Sequence, residues 1–415
     1  MVTFTPPRQI SNWTLRLAAG QAATSAAIPV NAGVGAVAAV HLSHSASLAG
    51  TSVGLAMLAS VVSLYFAGRF SDRHGRIPVL TTGLALMAIG AILCGAAIVV
   101  ESYALFVVGT IIFGTGQGPA MMHRSAAADL YPVEQRAHGV GLVVSAGAIG
   151  SIIGPLLASG LVLIAAALSL SEQAAPWLLI PITTLVAIVL VRGISVDPRD
   201  VARRLGDYFP GAANQQPTGQ PRTRRELLQL GPARAAITAG ALIQAAMVGV
   251  MGVTAVVLDQ HGFGPAAIGI FMAAHYLGMF GLAAPLGRLA DRLGRRRMML
   301  AGIFGTAIGA VGTSLLGDSL LILPFFFLLG FGWCANWVAG TTVLADITSP
   351  VERGRLTATN DQIVSLCGAA AVLAAGVVLD RAGLPVVGLT LAAILLIALV
   401  PVLRLREASP GVYQS

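Results

Sequence analysis

The 415-residue chain is 56% hydrophobic and 10% charged, with a mean hydropathy of +0.83, which leaves too little charged surface for a soluble domain. All 25 basic residues are arginine, so a phosphate-binding loop with its lysine and a Schiff-base lysine are both excluded. The net charge of +8 would suit nucleic acid, but the positions of the arginines assign it elsewhere.

From the N-terminus, apolar stretches of about 20 residues, enough to cross a ~30 Å hydrocarbon core, predict membrane helices at 15–41, 48–68, 78–100, 103–125, 139–164 and 174–192. A Pro-, Gly- and Arg-rich segment at 193–232 then reads as a cytoplasmic linker. Six further spans follow at 234–258, 265–287, 298–316, 320–343, 357–379 and 384–404. The expected fold is an all-α membrane protein with twelve transmembrane helices in two six-helix pseudo-symmetric bundles, 1–192 and 233–415.

Arg8 and Arg16 flank a polar start without the short apolar core of a cleaved signal, so the first span is expected to stay. Alternating the spans from a cytoplasmic N-terminus places 24 arginines in cytoplasmic loops or helix ends and only Arg381 outside. The external loops carry Glu101, Glu172, Asp259, Asp318 and Asp380. This positive-inside pattern accounts for the charge. It predicts a multi-pass protein of a bacterial-type plasma (inner) membrane with both termini cytoplasmic, inner-leaflet lipid as a partner and no nucleic acid.

Cys94, Cys334 and Cys367 stand singly in apolar spans with no metal spacing and read as small buried hydrophobes. Gly50-Thr-Ser-Val-Gly54 fits a hydrolase elbow, but it opens an apolar helix and follows no strand. His41 and His44 lack a third metal ligand. No nucleophile, base and orienting group come together, so neither an enzyme nor a cofactor is expected.

Gly68-Arg-Phe-Ser-Asp72-Arg73-His-Gly75-Arg76 recurs as Gly287-Arg-Leu-Ala-Asp291-Arg-Leu-Gly-Arg295, displaced by 219 residues. Asp129-Leu-Tyr-Pro-Val-Glu-Gln-Arg136 recurs near Asp346-Ile-Thr-Ser-Pro-Val-Glu-Arg353, displaced by 217. Two motifs at nearly one offset point to parallel six-helix repeats. Mixed charges at matching positions are suited to ion pairs that form in one arrangement and break in another; charge that only sets topology is the alternative.

These hairpins resemble the loop signature of the major facilitator superfamily, with departures at Phe70 and Ile77 in the first copy. The resemblance implies that Asp72 contacts the start of span 11 when the inner gate is shut. It implies also that Gly68 lets the halves approach, and that Arg76 ties to an acid near Asp129 or Glu134. Span 5 carries Gly141, Gly150, Gly154 and Pro155, followed by Ala158 and Ser159. The pattern is similar to the antiporter motif of the superfamily's drug:proton exporters, with the final glycine pair replaced; ordinary small-residue packing is the alternative. The arginine that those exporters carry in span 4, three residues before Gln-Gly, is here Gly114.

Titratable groups at membrane depth are functional candidates, which singles out His275, Asp361 and His123 for proton coupling; hydrogen bonding to a neighbouring helix is the alternative for each. Polar residues at helical spacing place Gln21, Thr24 and Asn31 along span 1. Gln117 and Met121 stand on span 4, Gln244 and Met251 on span 7, and Trp333, Asn336 and Trp337 on span 10. In the family resembled these four spans line a central cavity, and its lining of amide, thioether and indole would suit amphipathic or weakly cationic organic molecules. The function expected is export of a small organic compound by proton antiport with alternating access, by a monomer. A metabolite importer, or a non-transporting membrane sensor, is the alternative.

Overall fold

In the computed structural model, residues 6–132, 135–209, 222–317 and 319–405 are described. Glu134, Asp318 and the middle of the linker lie outside them. The described residues are helical almost throughout, as a chain in lipid requires when every backbone group must be satisfied within its own segment. The first half contains α1 (Arg8–Ser43), α2 (Thr51–His74), α3 (Arg76–Val99), α4 (Tyr103–Ala120), α5 (His123–Asp129), α6 (Arg136–Ala167) and α7 (Leu179–Arg192). The linker forms α8 (Pro198–Arg203), α9 (Leu205–Tyr208) and α10 (Arg224–Gln229). The second half holds α11 (Gly231–Gln260), α12 (Pro265–Tyr276), α13 (Ala283–Leu293), α14 (Arg295–Leu315), α15 (Ile322–Asp346), α16 (Pro350–Leu395) and α17 (Leu399–Leu403).

Among the described residues, ten helices are long and apolar enough to cross a membrane, and α12 with α13, bent by 41°, makes an eleventh. The last of the ten runs 52 residues from Glu352 to Leu403, about 78 Å at 1.5 Å per residue and more than twice a bilayer core. It breaks at Gly383, whose φ of 80° lies in the left-handed region open to glycine. Twelve passes result, as the hydropathy pattern predicts. The same glycine chemistry ends α2 and α13, where Gly75 and Gly294 take φ of 101° and 92° between each helix and the next.

The chain divides into two compact units. One holds the described parts of Met1–Val34 and Leu58–Gln215, the other those of Gly35–Met57 and Gln216–Ser415. In the first unit α3 and α4 pack backbone to backbone. A Cβ added at Gly83 would lie 2.8 Å from the Gly116 carbonyl oxygen, and one added at Gly109 would meet Cys94. Near the hairpin, Ile10, Leu17, Leu80, Leu130 and Tyr131 are buried together with Val201 and Phe209 of the linker.

The second unit repeats this plan. A Cβ added at Gly302 would lie 2.8 Å from the Gly332 carbonyl oxygen, joining α14 to α15, and Gly309 meets Leu329. Gly83 and Gly302, and likewise Gly90 and Gly309, stand 219 residues apart. The duplication therefore extends from the loops into the packing. The segment Gly35–Met57 contributes the start of α2 to this unit, with Gly50 seated on the Val372 backbone and Gly376 on that of Ser47.

Candidate functional site

The first basic hairpin is tied together by charge. Arg76 Nε donates to Asp129 Oδ2 at 2.7 Å, Arg76 Nη1 donates to Ser71 Oγ at 2.6 Å, and Asp72 lies 3.7 Å from the same guanidinium. The linker closes the arrangement. Asp197 Oδ1 and Oδ2 accept the backbone N–H groups of Arg76 and Ile77, both at 2.9 Å, and Oδ1 also accepts Arg199 N–H at 3.0 Å. Gly75 has no side chain to cap α3, so the Asp197 carboxylate caps α3 and α8 together. A Cβ at Gly75 would collide with it.

The second hairpin repeats the triad more loosely, with Arg295 3.4 Å from Asp291 and 3.6 Å from Asp346. There the linker docks at a different point. Arg222 donates from its backbone N–H and Nε to Glu352 Oε1, both at 2.8 Å, and from Nη2 to Glu352 Oε2 at 2.8 Å. Hydrogen bonding to Glu352 holds the Arg222 guanidinium above its ordinary pKa. Arg136 instead donates to the Tyr131 carbonyl and Arg353 to the Ala345 carbonyl, while Arg73 is exposed.

The span-5 motif lies on α6 against α1. Gly150 faces the backbone of Ala22, Gly154 that of Ala26, and Gly147 the side chains of Gln21 and Ser25. Small residues four apart make a groove that an opposing helix can enter. Gly141 differs, because a Cβ there would meet nothing within 4 Å; the same is true of Gly68. Pro155 sits inside α6, and Ser159 Oγ donates to its carbonyl at 2.9 Å.

The cavity candidates separate into two groups. Gln21, Thr24, Asn31, Met251 and Asn336 are buried in their units, with Gln21 Nε2 donating to Ser25 Oγ at 2.8 Å. Gln117, Met121, Gln244, Trp333 and Trp337 are half-buried. Trp333 Nε1 donates to Gln244 Oε1 at 2.6 Å, and the rings of Trp333 and Trp337 lie parallel with centroids 5.8 Å apart. Phe280, absent from the sequence-based set, stands edge-on to Trp333 at 5.8 Å.

Of the titratable candidates, His275 is fully buried with Nδ1 2.8 Å from the Phe326 carbonyl oxygen, and His123 is fully buried with Nδ1 2.7 Å from that of Ala120. A carbonyl only accepts, so each ring carries its proton on Nδ1. Among the described residues, neither Nε2 has a hydrogen-bond partner. Asp361 is exposed on α16 and accepts from Asn360 Nδ2 at 3.1 Å.

Twelve membrane passes with charged hairpins repeated at one offset define a polytopic membrane protein of two related halves, and the family it matches is one of membrane transporters rather than enzymes. The chain belongs to the Major Facilitator Superfamily, whose family model matches residues 17–256 and 235–414. It is 28% identical over 377 residues to the uncharacterized MFS-type transporter YdeG of Bacillus subtilis, covering 89% of this chain and 86% of that one. It is 25% identical to the riboflavin transporter RfnT of Brucella anthropi, over 94% of this chain and 95% of that one. Its fold is similar to the xylose transporter XylE from E. coli, at a TM-score of 0.72 and 17% identity over 97% of this chain and 98% of that one. A bacterial homologue of the lysosomal transporter Spinster gives a TM-score of 0.67 at 16% identity, over 98% of this chain and 100% of that one.

Asp197 and Arg222, which sequence reasoning missed, each have a local signal. Asp197 before Pro198 is a helix-start pattern, and Thr223 with Glu226 is a capping box. Their distant partners have no such signal.

Proposed function

We propose that this transporter exports a small organic compound by exchange with protons through alternating access, as a monomer in the plasma membrane with both termini cytoplasmic. The observation that carries the reading is the α6 seam. Gly150 and Gly154 bring α6 onto the α1 backbone beside Pro155, which supports treating the motif as a built contact rather than incidental glycine content. In this reading the seam lets α1 and α6 tilt as one piece, and the triads of Asp72, Arg76 and Asp129 and of Asp291, Arg295 and Asp346 exchange partners as the inner side opens.

Asp361 is the group proposed to carry the proton. A carboxylate within a membrane helix is costly when ionised unless it reaches water or a partner, and Asp361 is exposed where His275 and His123 are dry. Protonation would lower the cost of moving it away from water, and deprotonation after the exchange would restore it. Gln244, Trp333 and Trp337 offer indole and amide surface without fixed charge, and the full-length relative named for riboflavin supports an organic, ring-containing cargo. Gly114, standing where the resembled exporters carry arginine, favours the second reading, uptake of a metabolite.

The test is proton movement in inverted membrane vesicles with an acid interior, followed with a pH-quenched dye. A panel of lipophilic cations, antibiotics and metabolites is added in turn. Dequenching by one compound, absent in vector-only vesicles, supports antiport. Equilibration of that compound with no proton movement supports the facilitator or importer instead.

A further inference from the structure

Trp333 lies near the middle of α15, away from the membrane interface where tryptophan usually collects with its N–H in the headgroup layer. Its N–H is satisfied internally by Gln244 at 2.6 Å. Beside it, span 8 departs from regular helix, because Leu277–Gly281 forms a π-turn between α12 and α13. Such turns insert one residue, rotate the side chains beyond them and recur at functional positions. Gly278 lets this turn touch α15, since a Cβ there would strike the Phe327 carbonyl oxygen. Phe280 is thereby brought to Trp333.

Two near-parallel ring pairs result. Tyr276 and Phe280 stack on span 8 with centroids 6.2 Å apart and planes at 18°; Trp333 and Trp337 stack on α15 at 5.8 Å and 9°. Phe280 and Trp333 join them at 5.8 Å and 74°. The pairs therefore meet as a corner, with indole faces on one side and a phenyl wall nearly at right angles. Phe280, Trp333 and Trp337 are half-buried rather than sealed in the core. Gln244 uses its carbonyl for Trp333, which leaves its NH2 group to donate.

We propose that this corner binds a planar, uncharged heteroaromatic ring, its face on the indoles, its edge toward Phe280, and a ring carbonyl or nitrogen accepting from Gln244. The assignment rests on the export reading only in taking the occupant as the cargo. Offset stacking and edge-to-face contact are the arrangements that aromatic quadrupoles favour, and both are laid out here for a flat guest. A sugar would set a hydroxyl on nearly every carbon against rings and one amide, leaving most of them unpaired. A lipophilic cation is also drawn to ring faces, so it is an outcome of the test.

The experiment measures lumiflavin binding to the purified full-length protein by quenching of flavin fluorescence, with tetraphenylphosphonium and xylose as competitors. Saturable quenching is expected, unaffected by xylose. Trp337→Leu is expected to weaken it roughly tenfold, while Trp337→Phe, which keeps a ring, stays within about threefold. The Phe variant and a monodispersity check separate lost stacking from lost folding. Absent quenching in the wild type, equal affinity in Trp337→Leu and Phe280→Leu, or a site that tetraphenylphosphonium fills in preference to lumiflavin would overturn the proposal. Binding without proton movement would leave the corner standing and remove the antiport reading. Proton-coupled transport of another compound, indifferent to both ring variants, would do the reverse.

Discussion

Alanine substitution along α6 separates a packing seam from ordinary glycine content. A methyl at Gly150 falls on the carbonyl oxygen of Ala22, and one at Gly154 on that of Ala26. Both obstacles are backbone, which cannot rotate away as a side chain could. A methyl at Gly141 meets nothing within 4 Å. In a helix interior alanine is favoured over glycine by about 1 kcal/mol, while overpacking a tight contact costs ~1–3 kcal/mol. Gly141→Ala is therefore expected to stabilise by up to about 1 kcal/mol. Gly150→Ala should lose up to about 2 kcal/mol net, because α6 and α1 must part along the whole seam. The assay is the thermal midpoint of the purified variants, where each kcal/mol moves a large domain by about 2–4 °C. Gly141→Ala should melt above the wild type, and Gly150→Ala and Gly154→Ala below it. Equal shifts at Gly141 and Gly150 would refute the seam, and with it the mechanical reading of the motif.

The two charge triads should differ in strength. The Arg76–Asp129 pair, 16% and 19% exposed, should show a coupling of about 1–3 kcal/mol in a double-mutant cycle to alanine. The longer and more exposed Arg295–Asp346 pair should show less than about 1 kcal/mol; equal couplings would contradict this. Asp197→Ala removes the shared cap and should cost about 0.5–2 kcal/mol, read as faster hydrogen exchange at Arg76 and Ile77, with Asp197→Asn partly protected. Unchanged exchange in Asp197→Ala would show that the cap does not hold the hairpin. The linker should also respond to acid. The backbone N–H and hydroxyl of Thr223 hold the Glu226 carboxyl below its ordinary pKa, so its contribution is present above the ordinary carboxylate range and is lost as pH falls through the lower folded value. Protease cleavage around Thr223 should rise over that acid window in the wild type but not in Glu226→Gln, and identical profiles would count against the cap.

The repeat was legible because a positive-φ turn calls for glycine and an ion pair for both its charges, so the two copies show the same residue types. Gly75 and Gly294 hold positive φ, and the arginine after each meets an acid from the following membrane segment. The glycines that pack α3 on α4 and α14 on α15 recur at the same offset, yet they are hidden among 49 glycines in the chain. Periodicity placed Gln21 on one face of α1 but could not name its neighbour; that neighbour is Gly147 of α6. The π-turn at Leu277–Gly281 shifts the helical register by one residue, which is why Phe280 was not aligned with Trp333 in advance. Asp197 lies 121 residues from the Arg76 amide that it accepts, beyond any local pattern. The boundary between spans 11 and 12 was legible from hydropathy, and the structure places the break at Gly383, where the backbone leaves helical geometry.

The central claim is that cargo moves one way as protons move the other, with Asp361 as the carrier. Proteoliposomes holding the purified protein should be given an acid interior and an external compound drawn from the vesicle panel. Antiport predicts uphill accumulation of the compound inside, driven by proton exit, and its loss in Asp361→Asn while passive exchange of the compound survives. Accumulation driven instead by an acid exterior, or undiminished in Asp361→Asn, would contradict the account.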